Sequence, residues 1–219
     1  SLGNHLIEKA LESKKPAEKK RYLSKALNVL HKSVKIYPDY QKALFLTANA
    51  EYLYARDFKE NHNNYERAFH YYGQLLNRAP DHDEAYKNIA VILHNIKDAN
   101  YKLKIWQDLY KLNPDRFEVN YHLGALYRDA KQNPAEAVSY FKKAMESQPQ
   151  NANVYLDLGV THANMGNWEK ALDYHEQAMQ KGLKNDKVYR NLQIIHQQLG
   201  QEEQAKKYAQ RNKNKAANN

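Results

Sequence analysis

Prolines stand at Pro38, Pro80, Pro114 and Pro149, each closing a similar phrase: KIYPDY, NRAPDH, KLNPDR and SQPQN. A further 34 residues on, at Leu183 in KGLKND, the phrase returns without its proline. The first three spacings are 42, 34 and 35 residues. A period of this size marks an array of stacked units, each of which can bury its apolar face only against its neighbours. Between the closing positions there is little punctuation, with 7 Gly and 6 Pro in 219 residues. A sandwich or barrel needs a turn every ~8–12 residues, so the units are expected to be helical. With 42% hydrophobic residues the chain has enough apolar material for a core.

Inside each period the same residue types return at fixed offsets. Ten residues after the closing position stand Ala48, Ala90, Gly124, Gly159 and Gln193, mostly small. Twelve before the next one stand Ala26, Ala68, Lys102, Ala137, Ala171 and Ala205, small in all but one. Small side chains at two fixed points let paired helices approach closely. Eight before it stand Leu30, Tyr72, Trp106, Phe141, His175 and Ala209, mostly large and expected to fill the space between one pair and the next. In YLDLGVTHANMGNWEKALDYHEQAMQKG, apolar residues at 3/4 spacing run to Gly166 as a stop and Asn167 as an N-cap, and a second periodic stretch follows. Each unit therefore reads as helix–turn–helix.

Leu158-Gly159, Gly166, Ala171 and Ala178, and in the unit before them Leu123-Gly124, Tyr127, Ala137, Phe141, Ala144 and Pro149, resemble the tetratricopeptide repeat. The resemblance implies an all-α, right-handed α-solenoid of about six helix–turn–helix repeats, over approximately 1–38, 39–80, 81–114, 115–149, 150–183 and 184–211. Residues 1–211 are expected to form one superhelical domain, and 212–219 a disordered polar tail. About eight extra residues in the second repeat are placed around DFKENHNNYERA, predicting a longer turn or an extended helix end. The one-residue excess of the fourth is placed near Lys131–Pro134. Lys102 and Leu109, where the period asks for small residues, are expected to loosen or rotate the third pair. Leu2-Gly3 resembles Leu158-Gly159, so the first helix starts part-way through its motif and the protein is expected to continue on its N-terminal side.

GNHLIEKAL followed by LNVLHKSVKIYPDYQKA is also similar to the opening of tetratricopeptide regions that follow polytopic glycosyltransferase-like membrane domains in some bacterial proteins. That likeness implies an accessory domain beside a membrane, on the periplasmic side; without it the compartment stays open between periplasm and cytoplasm. No apolar run approaches the ~18 residues of a membrane span. The start SLGNHLIEKA lacks the charged and apolar regions of a signal peptide.

The formal charge of +9 is unevenly spread: residues 1–40 carry +5, residues 181–219 carry +6, and the 140 between them −2. A groove that tracks phosphates needs net positive charge along its length. Nucleic acid binding through the basic ends is therefore the lesser alternative. Each end could equally meet acidic lipid or be a solvated helix.

No catalytic set emerges. With no Cys there is no thiolate metal site or cysteine nucleophile. No two of the ten histidines bracket a Glu at i,i+4 as a zinc-peptidase helix requires, and no Gly-rich phosphate loop or GxSxG elbow is present. His162, His175 and His196 fall on packing positions, as do Tyr72, Tyr127 and Tyr155 among the 18 tyrosines. The chain thus reads as a non-enzymatic scaffold without a metal, cofactor or small-molecule substrate.

In the tetratricopeptide family the first helices line the concave side of the array. Applied to each repeat, the same offsets name Lys42, Phe45, Asn49 and Tyr52; then Lys87, Asn88, Val91, His94 and Asn95; then Tyr121, His122, Ala125 and Arg128; then Asn153, Leu156 or Asp157, Val160 and Asn164; and finally Arg190, Asn191, Ile194 and Gln197. Such a mixture of amides, aromatics and scattered cations suits a protein or peptide segment in extended form. Chaperone-binding members hold a C-terminal carboxylate with a Lys and an Asn one turn apart, a second Asn, then a Lys and an Arg. Here Lys87 is followed by Val91, and the next repeats offer Tyr121 with Ala125 and Leu156 with Val160, so no strong binding to an acidic chaperone tail is expected.

Overall fold

A computed structural model describes residues 1–58 and 63–216, which form twelve α-helices: α1 (Leu2–Glu12), α2 (Pro16–Ile36), α3 (Gln41–Phe58), α4 (Asn63–Arg78), α5 (Asp83–His94), α6 (Ala99–Leu112), α7 (Phe117–Asp129), α8 (Pro134–Ser147), α9 (Ala152–Asn164), α10 (Trp168–Gln180), α11 (Asp186–Gln198) and α12 (Glu202–Ala216). From α3 onward, every first helix begins three residues after a closing position, and the second helices before Pro38, Pro80, Pro114 and Pro149 end two residues before it. The closing proline stops the second helix because it has no N–H to donate and forces the preceding residue toward extended backbone. The residue two after it then occupies the N-cap of the next helix. His82 accepts from the Ala85 amide, Asn151 from Asn153 and Asn185 from Val188. Asp83 and Glu84, in the first turn of α5, add negative charge at the positive end of the helix dipole.

The turns inside the pairs follow their own rule. Gly166 and Gly200, at the same offset in the fifth and sixth repeats, have φ of 74° and 70°, a left-handed conformation that a side chain resists. Asn167 sits at the N-cap of α10 as expected, but its side chain accepts no capping bond. The fourth repeat spends its extra residue in the turn between α7 and α8, where Gln132 is driven to φ 50°. The second repeat spends part of its excess as an extended helix end: α3 has 18 residues against the 12 of α5 and the 13 of α7, α9 and α11. The remainder of that insertion, 59–62, and positions 217–219 of the expected tail lie outside the described residues.

The chain divides into two compact units, Ser1–Asp98 and Ala99–Asn219. The boundary falls between the two helices of the third repeat, the one that carries Lys102 and Leu109. Within each unit, helices contact their sequence neighbours and the first helix of the next pair, as α3 meets α2, α4 and α5, and as α9 meets α8, α10 and α11. The core of the first unit gathers Ile7 and Ala10 of α1, Leu23, Ala26 and Leu30 of α2, and Leu46, Ala50 and Leu53 of α3. In the second unit Phe141 and Ala144 of α8 pack with Val154 and Leu158 of α9, and Ala178 of α10 with Val188 and Leu192 of α11.

The large residue eight before each closing position serves its own pair as well as the next, where the sequence pointed only to the next. A Cβ on Gly124 would come within 2.8 Å of the Phe141 ring, and one on Gly159 or Gly3 would strike His175 or Leu30. The small residue of the first helix is thus the socket for the large residue of the second. A second contact recurs near the helix ends. Tyr127 stacks on Tyr140, His162 on Tyr174 and His196 on Tyr208, with ring centroids 5.3–5.4 Å apart. This is the packing role expected for His162, His196 and Tyr127, and Tyr72 and Tyr155 are likewise buried.

Candidate functional site

In the first unit, Phe45, Asn49 and Tyr52 rise from α3 and Lys87, Asn88, Val91, His94 and Asn95 from α5. Asn49 Oδ1 accepts from Asn88 Nδ2 at 3.0 Å and also from the Tyr72 hydroxyl, tying the two first helices to α4. Burial, the dominant influence, pushes the Tyr72 phenol well above its usual pKa, so it acts only as a neutral donor. Phe45 lies against His82 with ring centroids 5.0 Å apart, and Arg56 sits over Tyr52. Asn95 spends its amide on the Val91 carbonyl at the end of α5. Lys42, Lys87, Val91 and His94 are exposed.

In the second unit, Tyr121 and Arg128 of α7 converge on Asp157 of α9. Tyr121 Oη donates to Asp157 Oδ2 at 2.6 Å, and Arg128 Nη1 donates to Oδ1 at 2.6 Å. Asp157 is 7% exposed, and Leu156, its alternative in the sequence, is buried in the core. Burial raises the Tyr121 phenol above its ordinary pKa, and the Asp157 charge raises it further. For Arg128, burial opposes the charge, but hydrogen bonds to Asp129 and the Asp157 carboxylate outweigh it and hold the guanidinium fully protonated. His122 stacks on Trp106, with centroids 4.5 Å apart. Asn153, Asn164 and Arg190 are exposed.

Asn88, His122, Asp157 and Asn191 share one offset, eight residues past the closing position, and each touches the repeat before it. Asn191 Nδ2 meets His175 Nε2 at 3.1 Å, while His175 Nδ1 lies 2.7 Å from the Ala171 carbonyl. A carbonyl can only accept, so Nδ1 carries the proton and Nε2 accepts from Asn191. Burial lowers the His175 pKa, with Lys187 adding to it, and keeps this neutral tautomer. Next to this pair opens a cavity of about 210 Å³, lined by Val160, Ala163 and Asn164 of α9, Trp168 and His175 of α10, and Asn191, Ile194 and Ile195 of α11. Its walls are apolar, its rim carries the free amide of Asn164, and Ile194 at its mouth is 44% exposed.

Val160, Asn164, Asn191 and Ile194 were legible from the first-helix offsets, whereas Trp168 and His175 come from the second helix. Glu51 also escaped the sequence reading. It occupies the offset where the last three repeats place a stacking Tyr or His, is fully buried, and has His31 Nε2 2.9 Å and Arg67 Nη1 4.0 Å from Oε1. Among the described residues no group of three His, Asp or Glu side chains is placed to hold a metal ion. None of the described helices is long and apolar enough to cross a membrane.

Residues 115–181 match the family described as tetratricopeptide repeat, and residues 3–107 match the family described as plant specific mitochondrial import receptor subunit TOM20. No curated protein matches the chain. Among solved structures, MamA from Desulfovibrio magneticus RS-1 shares 17% identity over 76% of this chain and 93% of its own, with a TM-score of 0.60. Another MamA structure shares 20% identity over 74% of this chain and 96% of its own, with a TM-score of 0.59. Pseudomonas aeruginosa PilF shares 17% identity over 96% of this chain and 90% of its own, also with a TM-score of 0.59. At such identities the likeness is one of fold. Taken with the repeat register, the Gly sockets and the match over 115–181, it shows a tetratricopeptide-repeat fold, one that in general supports a scaffold for protein–protein interaction.

Proposed function

We propose that this chain is a non-catalytic scaffold that holds an extended protein segment against its first helices, with the principal contact at the cavity between α9 and α11. The observation that carries this reading is the cavity's make-up. Val160, Ile194 and Trp168 form apolar walls with room for one medium-sized side chain, and Asn164 on the rim has a donor and an acceptor to offer the segment's backbone. Asn191, at the same register, is committed to His175, so it shapes the wall and does not reach the ligand. In the first unit the side chains left to meet a partner are Lys42, Phe45, Tyr52, Lys87, Val91 and His94, an aromatic and cationic set without the amide-and-lysine arrangement that clamps a terminal carboxylate.

The test is peptide binding measured by fluorescence anisotropy, using segments selected on the intact chain and repeated on Ile194→Asp and Asn164→Ala. Both positions are exposed enough for the variants to keep their helical spectrum. A tenfold or greater loss with Ile194→Asp supports the site, since it places a charge where an apolar group must enter. Undiminished affinity in both variants would move the site elsewhere.

A further inference from the structure

We propose that the outward face of α2 is a docking surface for an anionic lipid bilayer. This rests on a second helix and is independent of the groove reading. α2 is the longest helix described, 21 residues or about 31 Å. It carries six basic side chains (Lys19, Lys20, Arg21, Lys25, Lys32 and Lys35) against a single acid, Glu18. α10, in the equivalent place of the fifth repeat, carries Lys170 against Glu169, Asp173 and Glu176, so a basic second helix is not a property of the repeat itself.

The charges are sorted by face. Leu23, Ala26, Leu30 and Val34 are buried at 3/4 spacing against α1 and α3. Arg21, Lys25, Lys32 and Lys35, spaced 4, 7 and 3 apart, line the opposite side and are exposed. Lys19 is turned aside to Asp57 at 2.7 Å, but Lys25, Lys32 and Lys35 have no ion pair with a described acid. The stripe ends in an apolar group: Ile36 is 66%, Tyr37 64% and Tyr40 49% exposed, and Asp39 among them is neutralised by Arg78. Lysines for headgroups, with an isoleucine at the helix end and two tyrosines just past it for the acyl boundary, suit a surface that docks on an anionic membrane. A nucleic acid partner would have use for the lysines but none for an exposed isoleucine.

Co-sedimentation of the full chain with vesicles of phosphatidylcholine alone, and of phosphatidylcholine with phosphatidylserine, tests this directly. Binding is expected only to the mixed vesicles and should fall as salt rises. Each neutralised lysine should weaken it about fivefold, so Lys25→Gln with Lys32→Gln loses about 25-fold. Ile36→Ser with Tyr37→Ser should weaken binding without changing its salt dependence. Lys206→Gln with Lys207→Gln, in the other basic helix α12, should leave it intact. Failure to bind mixed vesicles, equal binding to both kinds, indifference to the Lys25/Lys32 pair, or dependence on the α12 pair would each overturn the proposal. So would binding of duplex DNA, but not vesicles, through Lys25 and Lys32.

Discussion

Replacing Asp157 by alanine should destabilise the second unit by about 3 kcal/mol, more than any single loss of packing at its surface. The carboxylate is 7% exposed and accepts two bonds of 2.6 Å, one from a neutral phenol and one from a guanidinium. Removing one partner of a buried charge pair costs ~3–5 kcal/mol, because the other charge stays behind in a poorly solvated place. Arg128, however, is not left alone. Its Nε and Nη2 remain on Asp129, whose side chain is 62% exposed, and this holds the cost at the lower end of that range. The orphaned Tyr121 hydroxyl accounts for part of the loss, so Tyr121→Phe alone should cost about 1 kcal/mol. Asp157→Asn keeps an acceptor for Tyr121 but gives up the charge, and belongs between the two.

The decisive number is the coupling between Arg128→Met and Asp157→Ala, expected at about 2 kcal/mol from a double-mutant cycle in urea followed by far-UV circular dichroism. Repeat arrays unfold in parts. Hydrogen exchange should therefore place the loss of protection in α7 to α9, with α11 and α12 following and the first unit unchanged. A cost below about 1 kcal/mol for Asp157→Ala, or a coupling near zero, would refute the idea that these groups form a buried pair. It would also make Arg128→Ala a clean probe of ligand binding, whereas the geometry makes it a perturbation of stability.

Three further outcomes follow from particular positions. Gly159→Ala should destabilise by about 1–3 kcal/mol despite alanine's better helix propensity, because its Cβ meets the buried His175 ring and lies 3.2 Å from the Ala171 carbonyl, whereas Gly73→Ala, with nothing within 4 Å, should stabilise by about 0.5–1 kcal/mol; thermal melts giving the same sign for both would contradict the socket. Gln132→Gly should raise stability by about 0.5–1 kcal/mol by removing a left-handed non-glycine residue at φ 50°, and a fall in melting temperature would show the strain to be absent. Burial lowers the pKa of His175, with Lys187 adding to it, and that of His162, with Lys170 and Lys142 adding. The unfolded chain therefore binds more protons below pH ~6.5, so stability should be full above that value and decline as pH falls through the lowered folded values. A melting temperature of the last two repeats that stays flat from neutral to mildly acidic pH would count against neutral buried imidazoles.

What the sequence made legible, and what it hid, divides along one physical line. Features that one residue imposes on its own backbone could be read directly: the prolines that end the second helices, Gly166 at a positive φ, and the extra residue near Gln132. Features set by the size of a neighbour were half legible. Gly124 and Phe141 recur at fixed offsets, but only the packed pair reveals that the ring seats in its own partner helix as well as on the next repeat. Polar partnerships were hidden, because the same offset holds Asn88, His122, Asp157 and Asn191, side chains of three types that differ in charge and hydrogen bonding. Each looked like a groove residue since it lies on a first helix one step from the packing face. That step turns it instead toward the preceding repeat, where it finds Asn49, Trp106, Arg128 or His175. A polar residue there costs little while a partner satisfies it and a good deal once the partner is gone. The offset is thus where neighbouring repeats recognise one another. On the proposed scaffold reading, the residues left for a partner segment are those flanking it: Phe45 and Tyr52 in the first unit, and Val160, Asn164 and Ile194 in the second.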